Sequence, residues 1–210
     1  MWFFVGVLGL IAILPLFFLS LEHLKLGKRF GAHKGKKIGA LYGRISGWLF
    51  FLFWIGIWIS PQPRFVFPIL KNGLWLPVIS ISLPLFHLFI FIPLIIIAVW
   101  MGIKAVRHVS LKVAETHRPE KIIKTGFYSV IRHPQYVAGL IAHLGITFLL
   151  SGLYSLFLLP FMILYIYIIS RKEEKELINE FGKEYQNYKK KVPMFIPRFR
   201  KKMRFNPGRR

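Results

Sequence analysis

The chain has 210 residues, 55% of them apolar, and its 30 Lys and Arg against 8 Asp and Glu give a formal net charge of +22. It contains no Cys, which excludes a disulfide, a thiolate metal site and a thiol nucleophile. So basic a chain invites nucleic acid, but its aromatic residues sit in the apolar blocks and not among the basic ones, where base stacking would need them, so no nucleic-acid partner is expected.

Read in order, the apolar residues fall into blocks of the length a ~30 Å hydrocarbon core demands of a helix. Five spans are expected, over Met1–Leu21, Ile45–Ser60, Leu74–Ile103, Pro134–Ser151 and Leu153–Ser170. Met1–Leu21 lacks a basic leading region and a small-residue cleavage site, so it reads as a span and not as a cleavable signal. Between the first two spans, Gly27, Gly31, Gly35, Gly39, Gly43 and Gly47 recur at every fourth residue, the spacing of a small-residue groove on a helix. Gly35-Lys36-Lys37 has no Ser or Thr after the Lys, so a phosphate loop is not expected. The third block carries Pro77, Pro84 and Pro93, which predict a kink or a preceding interfacial stretch.

Charge orients the layout. Twenty-eight of the thirty basic residues fall in 22–44, 104–132 and the tail from Arg171; only Arg64 and Lys71 lie between spans two and three. The positive-inside rule makes the crowded face cytoplasmic and the N-terminus external, with anionic lipids the partners of the basic ends. The expected fold is an all-α polytopic membrane protein of about five transmembrane helices with a C-terminal amphipathic cytoplasmic segment. It is a single domain, 1–210, with a transmembrane scaffold over 1–110, a chemical core over 111–197 and a basic tail over 198–210. In the tail, Leu177, Ile178, Phe181, Tyr185 and Tyr188 form an apolar stripe broken near Gly182, predicted to lie along the membrane surface. Val192-Pro193 ends it, so this stretch can fold back as a lid over the mouth of the last helical hairpin.

That hairpin, 137–170, carries no Lys, Arg, Asp or Glu and brings two polar motifs to one membrane face. Pro134 starts its first helix and puts His133 near the N-cap, where free N–H groups favour an anion. Tyr136 and His143, seven residues apart, share a face, as do Tyr167, Arg171 and Glu174. An anion-binding helix start, adjacent carboxylates and several Tyr faces suit a zwitterionic, nucleoside-like cofactor. The same residues also admit a plainer reading. Arg132 and His133 serve as interfacial anchors, Glu173-Glu174 pair with local Lys, and His87 and His143 hydrogen-bond between helices.

From Thr125 to Pro197 the chain resembles the isoprenylcysteine carboxyl methyltransferase and phospholipid methyltransferase family, integral membrane enzymes that use S-adenosyl-L-methionine. The resemblance rests on Gly126-x-Tyr128, Arg132-His133-Pro134-x-Tyr136, Glu173-Glu174, Phe181-Gly182-x-Glu184-Tyr185-x-x-Tyr188 and Val192-Pro193, in that order. It implies an enzyme moving a methyl group to a lipophilic acceptor, an isoprenylcysteine carboxylate or a lipid headgroup. It implies cofactor contacts at Tyr128, His133, Pro134, Gln135, Tyr136, Glu173 and Glu174, and through the backbone of Glu120, Lys121, Ile122 and Ile123. Arg171 is implied as the acceptor-binding residue. A carboxylate acceptor needs no base, but an amine acceptor must lose a proton, which would give His143 or His133 a role. No metal is implied. Two other readings are open: a steroid-reductase-type membrane enzyme using NADPH, which the Glu173-Glu174 pair disfavours by repelling a 2′-phosphate, and a membrane scaffold or transporter component without turnover.

Overall fold

The computed structural model describes residues 1–67, 73–76, 81–109 and 121–198. Its helices are α1 (Trp2–Leu21), α2 (His23–Phe30), α3 (Ala32–Ile59), α4 (Leu85–Val109), α5 (Pro134–Leu150), α6 (Leu153–Phe181) and α7 (Lys183–Lys191), with a 3₁₀ turn at Gly126–Ser129. Strands β1 (Gly73–Leu76) and β2 (Ile81–Pro84) pair antiparallel, Gly73 opposite Pro84. Helices α1, α3, α4 and α6 are long and apolar enough to cross a membrane, and α5 is a shorter apolar helix of 17 residues. The expected all-α architecture therefore holds, with a short hairpin added.

The bundle is held by apolar stripes at helical spacing. Leu10, Ile13, Phe17 and Leu21 of α1 pack with Trp54 and Ile57 of α3 and with Leu158, Met162, Tyr165, Ile166 and Ile169 of α6 in one buried cluster. Intervals of three and four residues keep each set on one face. Helix α1 lies against α3, and α4 against α5. On the opposite faces, residues such as Leu52, Ile59, Phe89 and Phe157 are exposed, as lipid contact requires.

Three expectations are corrected. The third block is not one span from Leu74: the hairpin takes its start and α4 begins at Leu85, because Pro84 cannot donate a helical hydrogen bond and its ring clashes with a preceding turn. Pro93 is accommodated inside α4, and Pro77 and Lys71 lie outside the described residues. The second span starts far earlier than Ile45, since the glycine-rich basic stretch is the first part of α3. Two of those glycines explain why. A Cβ at Gly35 would sit 2.5 Å from the Leu26 carbonyl oxygen, and one at Gly39 would sit 3.1 Å from the His23 ring, so α2 docks closely there. Gly27, Gly31 and Gly47 face open space, so the groove is local. Finally, the stripe expected to lie along the surface is split. Its first half continues α6 without a break to Phe181, and only the half after Gly182 forms a separate helix. Gly182 has φ +55 and ψ −128, a turn that a residue with a Cβ resists.

Candidate active site

At the charged end of α6, two consecutive carboxylates do different jobs. Successive residues on a helix point ~100° apart, so Glu173 and Glu174 cannot face the same way. Glu174 turns inward and is 1% exposed. It accepts from Arg132 Nε at 2.6 Å, lies 3.2 Å from His133 Nε2, and is ion-paired with Lys189 of α7 at 2.7 Å. Burial alone would push this carboxyl up; the His133, Lys189 and Arg132 groups more than reverse that and hold it at about 2. Glu173 turns to an open cavity, where it accepts a hydrogen bond of 3.0 Å from the Tyr136 hydroxyl.

The rest of the motif is braced on the tail. Arg132 donates from Nη1 to the Lys189 carbonyl at 3.1 Å and to the Val192 carbonyl. The backbone N–H groups of Arg132 and His133 donate to Pro193 O at 2.9 Å and Met194 O at 3.2 Å. Phe195 lies against the His133 ring, and that ring stacks on Tyr136 with centroids 5.6 Å apart. Tyr185, Tyr188 and Val192 form a second buried cluster against Ile122, Leu177, Ile178 and Phe181. The Tyr188 hydroxyl donates to the Tyr128 carbonyl at 2.6 Å, tying α7 to the 3₁₀ turn. Burial first, then neighbouring carboxylates, pushes the Tyr128 and Tyr185 phenols up, and burial pushes Tyr188 up, so these rings are neutral donors. The tail thus folds back onto the hairpin base, as its Val192-Pro193 stop suggested.

The cavity holds about 600 Å³ and lies between α3, α4, α5, α6 and the segment after Lys121. Of the residues expected at a site, Lys121, Ile122, Ile123, Tyr128, His133, Gln135, Tyr136 and Glu173 line it. Pro134 does not; it supplies the first position of α5. Glu174 lies behind the wall, Arg171 stands over the Tyr167 ring at 5.9 Å away from the lining, and Glu120 is outside the described residues. His143 is also off the lining and fully buried, with both ring nitrogens in hydrogen bonds to Trp54, Trp58 and Ser155. His87 is equally buried and bonds Phe148 O and Ser151 Oγ.

Sequence reasoning did not anticipate the opposite wall. Arg44, Gly47, Trp48, Phe51 and Trp54 of α3 and Ala98, Gly102 and Val106 of α4 close the cavity. Arg44, Gly47, Trp48 and Phe51 have the spacing of a single helix face, but nothing local shows that this face meets the motif region. That follows only from how α3 packs on α1 and α6.

Residues 86–184 match the family model described as phospholipid methyltransferase. Methanethiol S-methyltransferase of Pseudomonas deceptionensis is 36% identical over 96 residues, 43% of this chain and 34% of that protein. Protein-S-isoprenylcysteine O-methyltransferase of Schizosaccharomyces pombe is 35% identical over 86 residues, 40% of this chain and 36% of that protein. Methanethiol S-methyltransferase 2 of Bradyrhizobium diazoefficiens is 38% identical over 71 residues, covering 34% of this chain and 27% of its own. The chain spans about a third of the length of the curated relatives it matches. No solved structure matches it significantly. The resemblance read from the motifs is borne out over this segment, which begins at α4 and so reaches into the half read as scaffold.

Proposed function

We propose that the chain is a membrane methyltransferase, acting as one domain, that binds S-adenosyl-L-methionine at the cytoplasmic end of the cavity and methylates a lipophilic acceptor reaching it from the bilayer. The observation that carries this reading is the cavity itself. It gathers Lys121, Ile122, Ile123, Tyr128, Tyr136 and Glu173 at the polar end of an apolar arm.

That donor set fits the cofactor. A carboxylate held by Tyr136 suits ribose hydroxyls or an ammonium group, and aromatic faces suit a sulfonium cation. Held by Glu173, Tyr136 and Tyr128, the cofactor would supply an electrophilic methyl group to a lone pair of the acceptor. The protein's share is alignment and the exclusion of water. Glu173, Tyr136 and Tyr128 orient the donor, and the α7 cluster closes the polar end. His143 takes no part in proton transfer, because its ring is closed off from the cavity; His133 is the imidazole on the lining.

Calorimetric titration with S-adenosylhomocysteine in detergent tests the reading. The unaltered chain binds it, and Glu173→Gln and Tyr136→Ala each weaken binding about tenfold, ~1.4 kcal/mol or one charge-assisted hydrogen bond. No binding by the unaltered chain, or binding of NADPH in its place, overturns the reading.

Orientation is tested separately in this Cys-free chain. The excess of basic residues around Lys36 and Lys190 supports a cytoplasmic position for both, with Gly152 outside. An impermeant thiol reagent on intact cells labels a Cys at 152 and not one at 36 or 190. The reverse pattern inverts the topology.

A further inference from the structure

The apolar arm has a floor. Along α3 the cavity lining ends at Trp54, along α4 it starts at Ala98, along α5 it ends at Ala142, and along α6 it starts at Tyr165. On all four helices the lining stops well short of the far end. From Arg44 to Trp54 the arm runs ~15 Å at 1.5 Å per residue, about half the thickness of a ~30 Å hydrocarbon core.

Trp54 is 4% exposed and its ring is braced on several sides. Phe50 packs on it edge-on at 4.8 Å, and a Cβ added to Gly139 of α5 would lie 3.1 Å from its far edge. Its indole N–H donates to His143 Nδ1 at 2.9 Å, and Trp58 donates to the same nitrogen at 3.0 Å. Indoles only donate, so Nδ1 is the acceptor and Nε2 carries the proton, which it gives to the Ser155 carbonyl at 3.0 Å. Ser155 is fixed in turn by Gln62, which accepts from its backbone N–H at 2.9 Å and donates to its hydroxyl at 3.0 Å. A polar chain from Gln62 to Trp54 inside an apolar bundle is costly, and its inner end is the ring across the bottom of the cavity.

We propose that Trp54, clamped by His143, sets the maximum length of the acceptor's apolar part, so that this chain selects small or short-chain lipophilic acceptors. This rests on the methyltransferase reading and adds the substrate class. Trp54 is the specificity-determining residue, and His143 is a positioning residue that acts through it.

The test uses the full chain in nanodiscs and straight-chain alkanethiols of increasing length. Binding of each thiol is read by native mass spectrometry, transfer of labelled methyl is read separately, and S-adenosylhomocysteine affinity is measured for every variant. The unaltered chain shows a length beyond which binding and transfer fall. Trp54→Ala moves that limit several carbons longer and raises the preference for long over short chains about tenfold, the scale of fitting one or more extra methylenes into an apolar pocket. Cofactor affinity does not change. His143→Ala moves the limit in the same direction, and His143→Asn restores it, because the amide oxygen can accept the indole hydrogen bond. A purely structural role would lower the melting temperature and slow every chain length alike.

A limit that is absent, or unmoved in Trp54→Ala, overturns the inference. If the unaltered chain binds no S-adenosylhomocysteine, the methyltransferase reading fails instead, while thiol binding still reports whether the floor exists.

Discussion

Glu174→Ala costs this protein more stability than any other single change at the charged end of the bundle. The carboxylate is 1% exposed and sits among Arg132, His133 and Lys189, so its removal leaves the Arg132 side chain, 7% exposed, without its counter-ion. Breaking a buried pair from one side costs roughly 3–5 kcal/mol, since the orphaned charge cannot regain water. For a chain of this size that is a fall in melting temperature on the order of 10 °C. Glu173→Ala is the matched control: its side chain is 24% exposed and faces the cavity, so it should lose cofactor affinity and keep its melting temperature. Equal melting temperatures for the two variants would show that Glu174 is no keystone.

The same carboxylate gives an acid signature. Its folded value, about 2, lies below its ordinary value of 4.5. A depressed folded value means the unfolded chain binds the proton more readily. The stability from this group is therefore complete above pH 4.5 and is lost as pH falls toward 2. In detergent, the unaltered chain should lose melting temperature across that window by more than Glu174→Gln does, because the amide has no proton to take up. Parallel acid profiles for the two proteins would remove the assignment.

A second ionic link joins the two halves of the chain. Lys172, beside Glu173, lies 2.6 Å from Glu22 at the α1–α2 elbow and 3.1 Å from Glu176. Lys172 draws Glu22 below its ordinary range against the opposing effect of burial. This pair lies about one-fifth exposed, where ion pairs contribute little alone. Glu22→Gln should therefore leave the melting temperature nearly unchanged, and a small loss of cofactor affinity would show that the elbow helps aim α6.

What was legible in the sequence follows from the range of each signal. The length of the apolar block Met1–Leu21 announces α1, and Pro134 announces the start of α5. Both are local facts. The separate fates of Glu173 and Glu174 are not local. Adjacency in sequence suggested a cofactor-binding pair, and only the approach of Arg132 and Lys189 on one side decides which of the two is structural. His143 shows the same limit. A buried His two turns from Tyr136 suits a catalyst, but the indoles of Trp54 and Trp58, over eighty residues away, occupy its acceptor nitrogen. The length of α3 was missed because hydropathy marks only its apolar part from Ile45; the four-residue glycine spacing before it suits a helix, but only the docking of α2 on Gly35 and Gly39 shows that the two stretches are one element.

Deleting Val192 to Arg210 should leave the helical bundle folded and remove most of the cofactor affinity. The deleted segment supplies the carbonyls of Val192, Pro193 and Met194 that receive the Arg132 guanidinium and the N–H groups of Arg132 and His133, together with the Phe195 ring against His133. Each buried donor left without a partner costs ~1–3 kcal/mol. The first element to give way is the turn from Tyr128 to His133, which carries cavity-facing groups; the main core cluster lies on α1, α3 and α6 and, among the described residues, touches the tail only through Phe195. Cofactor affinity should fall at least about tenfold, ~1.4 kcal/mol, with a smaller change in helix content by circular dichroism. Deleting only Phe205 to Arg210 should do little, because every contact just named lies before that cut. If the long deletion binds S-adenosylhomocysteine as tightly as the full chain, the tail does not brace the site, and the His133–Tyr136 stack must be held from α5 alone.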